Sequence, residues 1–169
     1  MLLVCLLPNL WGFAAKKPLF GHETNGDLSL YAWKCQFDQP TLASLVKGLD
    51  PESRPMYENL RKSIVKIVGT KPKLEWMGLR WRWCELTSLD DTRSLIAVHL
   101  IADPENPRVA LTLSTAFFDA HPPSKLPKGL HSGFTTAPAI GHRTWCEWPI
   151  GNQENADALK EMITLAFKG

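Results

Sequence analysis

Between Leu74 and Leu86 the chain reads LEWMGLRWRWCEL, and few local structures accommodate so much indole in so short a run. Trp76, Trp81 and Trp83 are large, flat and amphipathic, and residues of this kind favour the pleated surface of a strand with a covered face. The run has the length of one or two strand segments, and Gly78 marks a bend or bulge within it. Read with period two, Met77, Leu79, Trp81 and Trp83 fall on one face, and Trp76, Arg80, Arg82 and Cys84 on the other. Such a strand needs neighbours. Asp90-Asp91 signals a turn, Leu95 to Ala102 a second strand, Pro104 to Pro107 another turn, and Val109 to Thr115 a third strand, an antiparallel meander. Arg143 to Ile150, RTWCEWPI, reads as a last strand that Pro149 ends or places at an edge.

Helical patterns bracket these strands. Leu42, Leu45, Val46 and Leu49 give a short helix within 40–49. From Asp50 to Val68 the signal is stronger: Asp50 is placed as N-cap, Pro51 fits the first helical position, and Gly69 stands at the C-cap. Tyr57, Leu60, Ile64, Ile67 and Val68 form its apolar stripe. Asn152 caps a second long helix through Lys168, with Ala158, Leu159, Met162, Ile163 and Ala166 on its stripe. Residues 117–140, broken by Pro122, Pro123, Pro127 and Pro138, read as irregular, with one helical turn expected over Lys128 to Phe134. The expectation is an α+β fold: an antiparallel sheet of about four to five strands, with an N-terminal helix and a C-terminal helix packed on one face. The other sheet face is then left to solvent, a ligand or a partner.

At 169 residues, the chain is long enough for one domain with a core that needs no staples. The net charge of +2 argues against a nucleic-acid partner. Residues 1–27 divide from a domain over 28–169. Within them, the apolar stretch of residues 1–15, MLLVCLLPNLWGFAA, is too short for a membrane span and lacks a positive residue ahead of Leu2. A cytoplasmic location is expected, with export as the alternative if that stretch acts as a signal peptide. Leu28 to Phe37 reads as a further strand or an extended arm.

Residues 49–86 carry a likeness to a known group. The helix LDPESRPMYENLRKSIVKIVG, a short Pro-containing turn and the strand EWMGLRW match a pattern through Leu49, Pro51, Arg54, Leu60, Arg61, Ile64, Trp76, Gly78 and Leu79. Lys128-Gly129-Leu130 and the C-terminal helix are in keeping. The chain resembles the small bacterial YdhG-like domains, described as frataxin-like or iron-chaperone-like. An iron-chaperone role rests on acidic oxygen ligands. Here the first long helix sets Arg54, Arg61, Lys62 and Lys66 against Glu52 and Glu58, so the resemblance implies fold rather than iron binding.

Two constellations point toward chemistry. Arg80 and Arg82, interleaved with Trp76, Trp81 and Trp83, offer guanidinium beside indole, which grips a carboxylate, a phosphate or a planar ring. Trp76, Arg80, Trp81, Arg82 and Trp145 are the candidate ligand-binding set, and packing of arginine over tryptophan is the alternative. The triplet Trp-Cys-Glu occurs twice, as Trp83-Cys84-Glu85 and Trp145-Cys146-Glu147. On neighbouring strands, Cys84 and Cys146 would meet as a disulfide or as half of a thiolate metal site, with His131 and His142 as further ligand candidates. Otherwise they are small buried hydrophobes. Glu85 and Glu147 would then share a face, although solvated edge positions are the expectation, and His99 is expected to be a satisfied, partly buried residue. Hydrolase elbows, phosphate loops and dinucleotide fingerprints are absent from the sequence. The functional expectation is a non-enzymatic module binding a small molecule or a protein, with metal or thiol chemistry at Cys84 and Cys146 as the alternative.

Overall fold

A computed structural model of the chain describes residues 32–78, 82–89 and 96–168. Ala32–Lys34 form one 3-10 turn, so the described part of the expected arm is not a strand. Helix α1, Leu42–Lys47, starts where the Thr41 side chain accepts a hydrogen bond from the Ser44 amide. Helix α2, Ser53–Val68, begins three residues after Asp50, whose carboxylate nevertheless accepts the Glu52 and Ser53 amides at 3.1 and 3.2 Å. Pro55 lies in the first turn, where backbone N–H groups have no intrahelical partner to lose. Gly69 ends the helix at φ +78°, and its amide closes on the Val65 carbonyl. Tyr57, Leu60, Ile64 and Val68 are the buried stripe.

The tryptophan-rich run is a hairpin. β1, Lys73–Met77, pairs antiparallel with β2, Arg82–Ser88, so that Trp76 stands directly across from Trp83. Their rings meet edge to face with centroids 5.7 Å apart. The single-strand count had put these two residues on opposite faces. The antiparallel pairing of β1 with β2 brings them together on one face.

β3, Ala97–Ile101, and β4, Arg108–Ser114, continue the meander. Helix α3, Thr115–Ala120, leaves β4 with no loop, because the Ser114 hydroxyl accepts the Phe117 amide. Two 3-10 turns, Pro123–Lys125 and Lys128–Leu130, lead into α4, His131–Thr135. The two-residue β5, Ala139–Ile140, precedes β6, Arg143–Pro149, and the helix α5, Gln153–Lys168, whose first turn is capped by the Asn152 side chain on the Asn155 amide. Among the described residues, the sheet order is β1-β2-β3-β4-β6-β5, antiparallel throughout. Five full strands and a two-residue edge realise the expected α+β sheet.

Cross-strand partners share a face, so the register sorts the side chains. One face carries Trp83, Glu85, Val98, Leu100, Val109, Leu111, Leu113, Cys146 and Trp148. Both long helices cover it. Arg61 of α2 bonds Glu85 there. Helix α5 packs on α2 and on the turn whose Leu130 carbonyl accepts the Trp148 indole N–H at 2.7 Å. The apolar core lies in this layer, completed by Leu159, Met162 and Ile163 of α5.

Candidate functional site

The sheet face away from α2 and α5 carries Arg82 and Cys84 from β2, His99 from β3, Arg108, Ala110 and Thr112 from β4, and Trp145 and Glu147 from β6. Ala97 and Ala110 occupy the positions between the larger groups, and their small side chains leave room for the rings to lean together. His99 is the centre. Its Nδ1 lies 3.6 Å from the Cys84 Sγ, its Nε2 lies 3.4 Å from the Thr112 Oγ1, and its ring centroid sits 4.6 Å from that of Trp145. The Trp145 indole N–H donates to one Glu147 oxygen at 3.0 Å. The other Glu147 oxygen pairs with the Arg108 Nε and lies 3.8 Å from Arg82.

Electrostatics separates this cluster into a neutral half and a charged half. Burial lowers the His99 pKa to about 4, because an imidazolium there would lose its hydration. Burial likewise pushes the Cys84 thiol up to about 12, reinforced by the Glu75 charge and opposed by Arg82. At neutral pH the pair is therefore a thiol beside a neutral imidazole. A cysteine nucleophile requires the thiolate, and this environment disfavours it. The charged half, Glu147 with Arg108 and Arg82, is only partly screened from solvent, with Glu147 14% exposed.

Beside the charged half is a small concavity. Arg108, Trp145 and Glu147 form one wall, and Gly133, Thr136, Ala137 and Pro138 from the segment after α4 form the other, enclosing about 230 Å³. The Pro138 carbonyl accepts the Trp145 amide at 3.0 Å and holds that segment along β6.

The residues expected from sequence are distributed as follows. Trp145 and Arg82 are on the face away from α2 and α5, Arg82 with its guanidinium 5.4 Å from the buried Trp33 ring. Trp76 is half-buried on the helix-covered side against Trp83, so it does not join them. Trp83 is buried and donates its indole N–H to the Cys35 carbonyl. Arg80 and Trp81 lie outside the described residues. The proposed Trp–Arg patch is thus divided between two faces.

Cys84 and Cys146 do not meet. They sit on strands separated by β3 and β4, and on opposite faces, because the two Trp-Cys-Glu triplets enter the sheet in opposite phase. Both thiols are free and buried, and burial also raises Cys146 to about 12. His131 lies half-buried with Nε2 3.2 Å from the Leu126 carbonyl oxygen, and His142 is exposed in the β5–β6 turn. Among the described residues, no three His, Cys, Asp or Glu side chains gather where they would hold a metal ion.

The glutamates also depart from expectation. They occupy opposite faces, and neither is a solvated edge residue. Glu85 is 3% exposed, and both its oxygens accept from the Arg61 Nε at 2.7 and 2.8 Å. Burial raises its pKa, and Arg61 opposes that rise. Tyr57, buried near this pair, is held above the ordinary tyrosine range by burial and then by the Glu85 charge.

Arg108 and Thr112 went unnoticed in the sequence because only the β4–β6 register brings them beside Trp145 and Glu147. The Trp145-x-Glu147 spacing was the one local sign, since residues two apart on a strand share a face. Comparison of the chain with family models, with curated proteins and with solved structures finds no match.

Proposed function

We propose that this chain is a non-enzymatic binding module of YdhG-like type, and that its ligand site is the concavity formed by Arg108, Trp145, Glu147 and residues 133–138, at the edge of the sheet face away from α2 and α5. The observation that carries the reading is the half-buried Trp145. Its N–H is fixed on Glu147, its ring is backed by His99, and it borders a concave space with two charged groups beside it. A pre-set aromatic wall with a few convergent polar groups is what small-ligand sites use. The concavity, about 230 Å³, is of the size a small molecule fills. A binding role is also in keeping with the neutral Cys84–His99 pair, which lacks an activated nucleophile.

The indole N–H of Trp145 provides the readout. In an amide and indole NMR spectrum of the ¹⁵N-labelled protein, titration with a library of small aromatic fragments is expected to shift the Trp145 Nε1–H resonance saturably. Trp145→Ala should remove binding while the rest of the spectrum stays folded. A library that leaves the Trp145 resonance in place, or binds the W145A protein equally well, overturns the assignment.

A further inference from the structure

We propose that this site takes a small planar carboxylate and that Glu147 is its built-in competitor, an inference that rests on the reading of the concavity as a ligand site. The carboxylate of Glu147 already shows what the surroundings recognise. One oxygen accepts the Trp145 indole N–H at 3.0 Å, and the other pairs with Arg108, with Arg82 3.8 Å away. An indole donor and a guanidinium charge meet the two oxygens of one carboxyl group, a carboxylate receptor occupied by the protein's own side chain, in which the Arg108 Nε makes ion-pair contact without an aligned hydrogen bond.

Two guanidinium groups lie near the Glu147 carboxylate, Arg108 in ion-pair contact and Arg82 at 3.8 Å. Glu147 is the sole ion-pair partner of Arg108 among the described residues, and the Arg108 side chain, 29% exposed, borders the concavity. An incoming carboxylate has a guanidinium edge to pair with, and a ring attached to it would lie beside Trp145, which lines the same concavity. A cation would meet the arginines. A neutral ring would gain the stacking alone. Glu147 repels an incoming anion and holds the arginine away from it, so its charge sets the affinity downward.

The test uses benzoate, benzamide and benzylammonium, three probes of one shape and different charge, titrated into the full-length protein while the Trp145 Nε1–H resonance is followed. Benzoate is expected to bind about tenfold more tightly than benzamide, with benzylammonium weaker than either. Arg108→Gln should abolish the preference for benzoate, lowering its affinity about tenfold while benzamide changes by less than about twofold. Glu147→Gln, which keeps the shape and the acceptor for Trp145, should raise benzoate affinity about tenfold and leave benzamide unchanged. Thermal melts of both variants establish that they are folded; Arg108→Met serves in place of R108Q, and Glu147→Ala in place of E147Q, where the glutamine variant is not. Benzamide binding as tightly as benzoate, or benzoate affinity unchanged in E147Q, overturns the carboxylate inference and leaves the ligand site standing. Failure of all three probes to move the Trp145 resonance overturns both.

Discussion

Gly133 illustrates how a single missing side chain positions the concavity. A Cβ at this residue would come 2.1 Å from the Trp148 Nε1, while that indole N–H is committed to the Leu130 carbonyl at 2.7 Å. Trp148 is 2% exposed and has no room to retreat. Gly133→Ala therefore forces apart α4 and β6, and a loss of about 2–3 kcal/mol is expected, measured as a fall in the urea midpoint at constant slope. At the neighbouring face His99 sets a pH limit. Its folded pKa, about 4, is below the ordinary 6.5, so the unfolded chain takes up the proton first as pH falls. Stability is complete above pH 6.5 and declines as pH drops from 6.5 toward 4, by about 3 kcal/mol in total. Denaturant melts across that interval should show the decline, and His99→Gln should flatten it whatever its effect at neutral pH. A wild-type profile level from pH 7 to 4.5 would refute the assignment of His99 as buried and neutral.

At the scale of elements, the helix-to-sheet contact between α2 and β2 includes a charge pair whose two members are unequally covered. Glu85 is 3% exposed and Arg61 29%. Breaking a buried pair costs about 3–5 kcal/mol and an exposed one under about 1, so Arg61→Met should lie between them, at about 2 kcal/mol. Because burial holds the folded pKa of Glu85 above its ordinary 4.5, the folded state keeps this proton to higher pH than the unfolded chain. Ionising it on the way to neutral pH opposes folding, and Arg61 offsets that cost. The deficit of R61M should therefore be full at pH 7 and shrink as pH approaches 4.5. Replacing both residues, as in Arg61→Met with Glu85→Leu, should recover most of the loss, since an apolar pair of similar volume suits this layer. A deficit equal at pH 7 and pH 4.5 would contradict the account. The same helix shows what could be read locally. Tyr57, Leu60, Ile64 and Val68 declare its buried stripe by spacing alone and Gly69 marks its end, while its first residue is Ser53, so that Asp50 and Pro51 precede the helix instead of capping and opening it. Arg54 and Arg61, which entered the likeness to YdhG-like domains, do structural work: Arg54 donates to the Lys47 and Leu49 carbonyls at the end of α1, and Arg61 holds Glu85. Their partners are set by tertiary contact, so the sequence showed two basic residues and not their roles.

Over the whole molecule, the decisive quantity is the phase in which each strand enters the sheet. The boundaries of the five full strands to within two residues, the two long helices and the antiparallel class follow from periodicity and turn residues, whereas the 3-10 turn at Ala32–Lys34 and helix α3 did not declare themselves. The phase follows from turn length and register, which are long-range, and it reversed the reading of Trp76 against Trp83 and of Cys84 against Cys146. The candidate site inherits that dependence, because Arg108 reaches Glu147 only across the β4–β6 ladder. Thiol chemistry gives a direct reading of phase and cover together. Cys35 is exposed, while Cys84 and Cys146 are each 0% exposed on opposite sides of the sheet, and burial holds both thiols near 12. In protein carrying Cys5→Ser, a thiol-specific chromogenic reagent at pH 8 should titrate one group within minutes and two more only in denaturant. With Cys35→Ser added, the fast group should vanish. Both remaining cysteines should then be modified at rates that follow unfolding, and at a common rate, since each face belongs to one cooperative sheet. A second reagent equivalent consumed quickly by the native protein would mean that the reagent reaches one of the two covered faces. Unequal slow rates would mean that the faces unfold separately, and mass spectrometry of the labelled peptides identifies which cysteine leads.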